Sequence, residues 1–179
     1  MGATYYTRRK TVPQPHEVFL VGEITKHSIK KVRKAFNHPN DDDTIFVGIC
    51  SSGGECDVAL GIIDMMTQAQ KLGVKVATIA YGKAHSAAAD ILAFGTKGMR
   101  ACSPNTSVLF HEQSCSLDLE KSNGHLKYLE FESKRQENFL RQLATQCGQD
   151  YEKMKKDVEG DLWLTAEEAK AYGVVDIVM

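Results

Sequence analysis

Apolar and polar positions along this chain fall into blocks of two kinds. Apolar runs at 17–22, 44–50 and 74–80 read as strands, the nearly continuous 44–50 run being of the type buried on both faces of a parallel sheet. Between them, apolar residues recur at helical spacing. Ile29, Val32, Ala35 and Phe36 share one face of a helix predicted over about 26–37, which Thr25 caps. Val58, Ile62, Met65, Met66 and Ala69 do the same for a helix over 57–72, ended by Gly73 in a left-handed cap. A further helix is predicted over 86–94, with short strands over 99–102 and 107–110. A long charged helix over 123–147 follows, its apolar positions being Leu126, Leu129, Phe131, Phe139, Leu140 and Leu143. Thr165-Ala166-Glu167-Glu168 is a capping-box sequence for a short helix ending at Gly173, and 174–178 reads as a last strand. The polar stretch 1–16, with Pro13 and Pro15, reads as an arm preceding one domain over 17–179. Pro39-Asn40-Asp41-Asp42-Asp43 reads as a turn. Strand and helix alternate through the first half, as expected of stacked β-α units in an α/β fold.

Composition and charge narrow this picture. A length of 179 residues suits one domain with a core large enough to need no disulfide or metal. The net charge of -1 supplies no bulk attraction to nucleic acid or anionic membrane, and the one basic cluster, Arg8-Arg9-Lys10, falls in the arm. No apolar run approaches the roughly 18 residues of a membrane span, and the N-terminus lacks the apolar stretch of a secretory signal. Cys50, Cys56, Cys102, Cys115 and Cys147 show no paired spacing, which suits a reducing compartment. The expectation is a cytoplasmic protein with no nucleic-acid or membrane partner. No His/Cys/Asp cluster has ligand spacing, so no metal is expected.

Candidate chemistry lies in three segments: Cys50-Ser51-Ser52-Gly53-Gly54, the stretch 82–89 around Ser86, and Val108-Leu109-Phe110-His111. Together they offer the parts that acyl transfer needs. Ser86, among small residues at a predicted helix start, is the candidate nucleophile; taken alone it reads first as an N-cap, and its placement between the other two segments reverses that preference. His111, ending an apolar strand, is the candidate general base, with His85 a lesser alternative. The backbone amides of Gly53 and Ala87 are the candidate oxyanion donors, although a paired glycine is by itself only a turn. Asp161, before the strand-like Leu162-Trp163-Leu164, is the first choice for the carboxylate that orients the imidazole, and Asp176 the second. Asp57 and Asp90 lie on helices beside these segments and read as solvated or capping residues.

These residues resemble the ClpP family, the proteolytic subunits of ATP-dependent Clp proteases, over about 17–177. Family members show Asn-Ser-Pro-Gly-Gly where this chain has 50–54, and Gly-x-Ala-Ala-Ser-Met-Gly-Ala where it has 82–89. Gly95-Thr96-Lys97-Gly98-Met99-Arg100, Pro104-Asn105 and His111 track a further family run, and 161–169 looks like the segment bearing the catalytic aspartate. The resemblance implies a ClpP/crotonase-like fold with a protruding helical handle at about 123–147. It implies the triad Ser86, His111 and Asp161 with oxyanion amides at Gly53 and Ala87. It also implies a homo-oligomer of one or two heptameric rings, unfolded polypeptide substrates cut with loose preference for apolar side chains, and delivery by an AAA+ unfoldase. No cofactor is implied in this chain, ATP being used by the unfoldase. Ser52 stands where the family has proline and Ala88 where it has glycine, and only about 16 residues precede the first strand, which suits a divergent, phage-type member.

The expected activity is therefore that of a serine endopeptidase. Alternatives on the same residues are a partner-specific, capsid-maturation-like protease working without an unfoldase, a catalytically silent ring or scaffold subunit, and, last, a crotonase acting on acyl-CoA.

Overall fold

A computed structural model describes residues 16–37, 44–112 and 122–179, with side chains in the last segment from 126 onward. The arm before His16, its basic cluster, the turn at 39–43, His38, Cys115 and the side chain of His125 lie outside the described residues.

Three β-α units open the described chain: β1 (His16–Val21) with α1 (Lys26–Ala35), β2 (Thr44–Ser51) with α2 (Cys56–Lys71), and β3 (Lys75–His85) with α3 (Ala87–Ala93). Two short strands follow, β4 (Arg100–Cys102) and β5 (Ser107–Phe110), and then the long α4 (Ser122–Cys147). The chain continues through α5 (Tyr151–Glu159), β6 (Leu162–Leu164), α6 (Ala166–Tyr172) and β7 (Ile177–Val178). The helix starts follow from local chemistry. Thr25 caps α1 in a capping box completed by Ser28, and Thr165 caps α6 in one completed by Glu168.

The sheet runs β1-β2-β3-β4-β7, all neighbours parallel. Strand β3 is the spine and serves two neighbours on one side. Its first half pairs with β4 at Thr78–Ala80, and its second half pairs with β5 at Lys83–His85. Between those slots the chain turns at 103–106, where the Ser103 N–H and the Thr106 hydroxyl both donate to Ala80 O (2.9 and 3.1 Å). Strand β6 then adds antiparallel to β5. The outcome is the mixed α/β fold that the alternation predicts.

The core lies where this sheet meets the helices. Ile45, Val47 and Ile49 of β2 are fully enclosed, as are Ile62 and Met66 of α2 and Ile91 and Leu92 of α3. Each such side chain stabilises the fold by about 1.5–3 kcal/mol. The two ends of α4 differ. Phe139, Leu143 and Ala144 are buried, with Phe139 stacked on Phe94 at 5.8 Å, whereas Leu126, Leu129 and Phe131 are exposed. The N-terminal half of α4 thus leaves large apolar side chains exposed.

Several boundaries differ from those read in the sequence. Strand β3 continues to His85, beyond its apolar run, because β5 supplies a second ladder for polar residues. Helix α3 starts at Ala87, because Ser86 has a positive φ. Only Ile177–Val178 of the expected 174–178 strand forms a ladder; Val174 and Val175 are buried and bond back to Ala169 O. Helix α5 was not expected. Its signals are short: Asp150 accepting from the Lys153 N–H at 3.0 Å, and buried Met154 and Val158 four residues apart.

Candidate active site

Ser86 is the single residue between β3 and α3, at φ 55 and ψ -131. With Asp161 it is one of two non-glycine residues at positive φ among those described. Such a conformation costs on the order of 1–3 kcal/mol and persists only where the surroundings over-determine it. Here both flanks do so. The Ser86 N–H donates to Leu109 O at 2.8 Å, fastening the elbow to β5, and Ser86 O accepts from the N–H groups of Ala89 (2.8 Å) and Asp90 (3.2 Å). Ala84, Ala87, Ala88 and Ala89 are buried, and their small side chains let the strand turn into the helix within one residue. The serine hydroxyl makes no capping hydrogen bond to α3, so capping does not account for it.

Gly53 presses against this elbow. At φ +99, a Cβ there would lie 2.7 Å from Ser86 Cβ and 2.8 Å from His85 O, so no side chain fits. Its amide departs from the sequence expectation. The Gly53 N–H donates to the buried Ser51 hydroxyl at 3.0 Å, and Gly53 O accepts from the Ile24 N–H at 2.8 Å. Gly53 is therefore held as a brace, with its donor already used. Among the described residues, the nearby amides with no protein acceptor include those of Gly54 and Ala87. Ser51 was not singled out in the sequence, where it is one of two adjacent serines; its burial alone marks it as the bracing one.

His111 and Asp161 approach from the other side. The β5–β6 rungs are Val108 with Leu164, Leu109 with Trp163 and Phe110 with Leu162, so His111 and Asp161 lie one step past the last rung. Asp161 enters β6 straight from the end of α5, at φ 56, with its N–H donating to Val158 O at 3.2 Å. The His111 imidazole turns to its own neighbour, Nδ1 lying 2.6 Å from Glu112 O. A carbonyl only accepts, so Nδ1 holds a proton, and in the neutral ring Nε2 is left with the lone pair that a general base needs. The pairings of β3 with β5 and of β5 with β6 put Ser86, His111 and Asp161 at the same end of three neighbouring strands. Among the described residues no hydrogen bond joins Ser86 to His111 or His111 to Asp161.

The alternatives are otherwise employed. His85 Nε2 lies 2.8 Å from Ser107 Oγ and its ring meets Trp163 edge-on at 5.2 Å; burial, then the Lys83 charge, lowers its pKa. Asp176 grips Arg100, with Oδ1 2.6 Å from Nη2 and Oδ2 2.9 Å from Nε, and accepts the Gly98 and Arg100 N–H groups as well. That pair ties β7 to β4, away from Ser86. Asp57 pairs with Arg135 at 2.6 Å. Asp90 makes no capping hydrogen bond to a described residue, and it is half-buried rather than fully solvated. It lines a cavity of about 220 Å³ shared with Phe110 and His111, and burial pushes its pKa up to about 7. The sequence signal for Asp90 is a lone charge in the otherwise apolar α3, one turn after Ser86. Ser52, which stands where the resembled family has proline, accepts from Lys83 Nζ at 2.6 Å. Among the described residues no group of three or more His, Cys, Asp or Glu side chains is placed to hold a metal ion, and no helix is long and apolar enough to cross a membrane.

Comparison with known proteins adds to this geometry. The family model described as Clp protease matches residues 2–179. The chain is 39% identical over 145 residues to the "ATP-dependent Clp protease proteolytic subunit 1" of Bifidobacterium longum (strain NCC 2705), covering 79% of this chain and 58% of that protein. It is 38% identical over 141 residues to the "ATP-dependent Clp protease proteolytic subunit 3" of Nocardia farcinica (strain IFM 10152), covering 78% of this chain and 62% of that one. The matched part thus spans less than two thirds of the length of either relative.

Proposed function

Because the chain belongs to the Clp protease family, we propose that it is a serine endopeptidase acting through Ser86, His111 and Asp161. The observation that carries this reading is the backbone of Ser86, held at φ 55 and ψ -131 against Gly53 with a hydroxyl that caps nothing. Strain of this kind at an element junction is the mark of an exposed nucleophile. Ser86 Oγ attacks a peptide carbonyl while His111 Nε2 takes its proton and then passes it to the leaving amine. Asp161 holds the imidazolium once the ring turns from Glu112 O toward it. The amide of Ala87 and one from the Gly53-Gly54 turn receive the oxyanion, and Gly54 is the better candidate because Gly53 already donates to Ser51. Water then hydrolyses the acyl-enzyme.

The same reading takes the exposed apolar half of α4, at Leu126, Leu129 and Phe131, as a surface between subunits of an oligomeric chamber. Polypeptide substrates would be delivered by a separate AAA+ unfoldase that consumes ATP, this chain needing no cofactor, in the cytoplasm. A second reading, a catalytically silent ring subunit, draws on the bond from His111 to Glu112 O in place of Asp161. Fluorophosphonate labelling of wild type and Ser86→Ala, resolved by native size, separates the two. Labelling of a large species that vanishes in Ser86→Ala supports the peptidase. Its absence from every species favours the silent subunit.

A further inference from the structure

The cavity beside His111 is built differently from a purely apolar slot. Its walls are Phe110, Phe139, Leu140 and Leu143, from β5 and the buried half of α4. Asp90 is set into it from α3, one helical turn after Ser86, whose carbonyl its own N–H binds at 3.2 Å. As a residue Asp90 is half-buried, and the cavity is the space it faces. Its carboxylate has no hydrogen bond or ion pair with any described residue, and burial alone perturbs it, pushing its pKa up to about 7. A half-buried carboxylate with no partner, set between apolar walls, is poorly compensated until something cationic docks there. The outer lining keeps the same sign, with Glu112 and Glu159 against Lys155; Glu137, also lining it, is paired with Arg141 at 2.6 Å.

Resting on the peptidase reading above, we propose that this cavity receives the substrate side chain next to the scissile bond and that Asp90 makes it select lysine or arginine. The long methylene stem of such a side chain lies along the Phe and Leu walls while its cationic end reaches Asp90. Its volume of about 220 Å³ suits one side chain, being below the 300–1,000 Å³ typical of drug-sized ligands. The preference departs from the loose apolar one implied by family resemblance, and a single residue of this chain accounts for it.

The test pairs turnover with binding. Internally quenched peptides differing only at the position before the cleaved bond are compared in wild type, Asp90→Asn and Asp90→Leu. The kcat/KM ratio of arginine to leucine should exceed 1 by about 10- to 100-fold in wild type, fall toward 1 in Asp90→Asn and reverse in Asp90→Leu. A wild type preferring leucine, or a ratio that Asp90→Asn leaves unchanged, overturns the proposal. Calorimetry of the same peptides on Ser86→Ala, with and without Asp90→Asn, needs no catalysis. Arginine-selective binding that depends on Asp90, with no cleavage by wild type, would keep the pocket and reject the peptidase. Cleavage without that selectivity would do the reverse, and neither would reject both.

Discussion

Phe110 and Leu162 form the last rung between β5 and β6, which sets His111 and Asp161 one step beyond it on adjacent antiparallel strands. The catalytic role proposed for Asp161 follows from this register, and so does a clean substitution. Asp161 sits at φ 56, a conformation that asparagine also tolerates. Asp161→Asn should therefore keep the melting temperature while lowering kcat by about four orders of magnitude, through loss of the correctly held tautomer. An unchanged kcat would remove Asp161 from the mechanism.

The strain at Ser86 is measurable as stability. Ser86→Ala and Ser86→Gly both lose the hydroxyl, but only glycine is at ease at φ 55 and ψ -131. Relief of about 1–3 kcal/mol, less the 0.5–1 kcal/mol that glycine costs through the unfolded chain, should leave Ser86→Gly more stable than Ser86→Ala by about 1 kcal/mol. Urea unfolding of the two variants measures the difference, and an equal or lower midpoint for glycine would mean the elbow is unstrained.

Gly53→Ala tests the brace. A Cβ at 2.7 Å from Ser86 Cβ and 2.8 Å from backbone His85 O must push the elbow away, at a φ that alanine disfavours. Fluorophosphonate labelling should fall by at least about 100-fold, the scale of a lost oxyanion donor, together with a drop in melting temperature. Ser51→Ala, which leaves the Gly53 N–H buried without an acceptor, should cost about 1–3 kcal/mol.

Asp90 should make stability pH-dependent. Its pKa rises from an unfolded value of 3.8 to about 7 in the fold, so the folded state binds the extra proton. The penalty is absent below about pH 4, grows as pH rises and is complete above pH 7, reaching on the order of 3–4 kcal/mol. The titratable groups around the cavity are His111, Glu112, Glu137, Tyr151, Lys155 and Glu159, and the Asp90 charge in turn raises the pKa values of Cys56 and Cys147. Relative to wild type, Asp90→Asn should gain stability between pH 4 and pH 8, as read from unfolding midpoints at each pH. A difference that stays flat over that interval would contradict the burial.

The Arg100–Asp176 pair should behave in the opposite sense. Burial pushes the Asp176 carboxyl up, but hydrogen bonds and charge from Arg100 outweigh it and hold the group below the usual carboxylate range. Its contribution is present above the unfolded pKa and is lost as pH falls through the folded one. Arg100 is 4% exposed, so Asp176→Ala strands a buried guanidinium and should cost about 3–5 kcal/mol at neutral pH. Thermal unfolding at pH 7 and pH 3 checks both size and sign, since the loss should shrink in acid.

Much of this molecule follows from local signals. The parallel-sheet strands at 44–50 and 74–80, the Thr25 and Thr165 caps, and the left-handed end at Gly73 depend on residues within a few positions of each other. Apolar period and capping chemistry therefore disclose them. Ser86 and His111 were legible as types in their segments for the same reason. What only the tertiary structure decided involves partners distant in the chain. These include the register that lines up His111 with Asp161, the β5 ladder that carries β3 on to His85, and the use of Asp176 to tie β7 to β4. The Gly53 amide is spent on a serine two residues away because the turn buries that hydroxyl, and side-chain burial cannot be read from adjacency. Asp90 shows the same limit. Its letter is an ordinary charged residue on a helix, and its meaning comes from the walls that β5, α4 and α5 build around it.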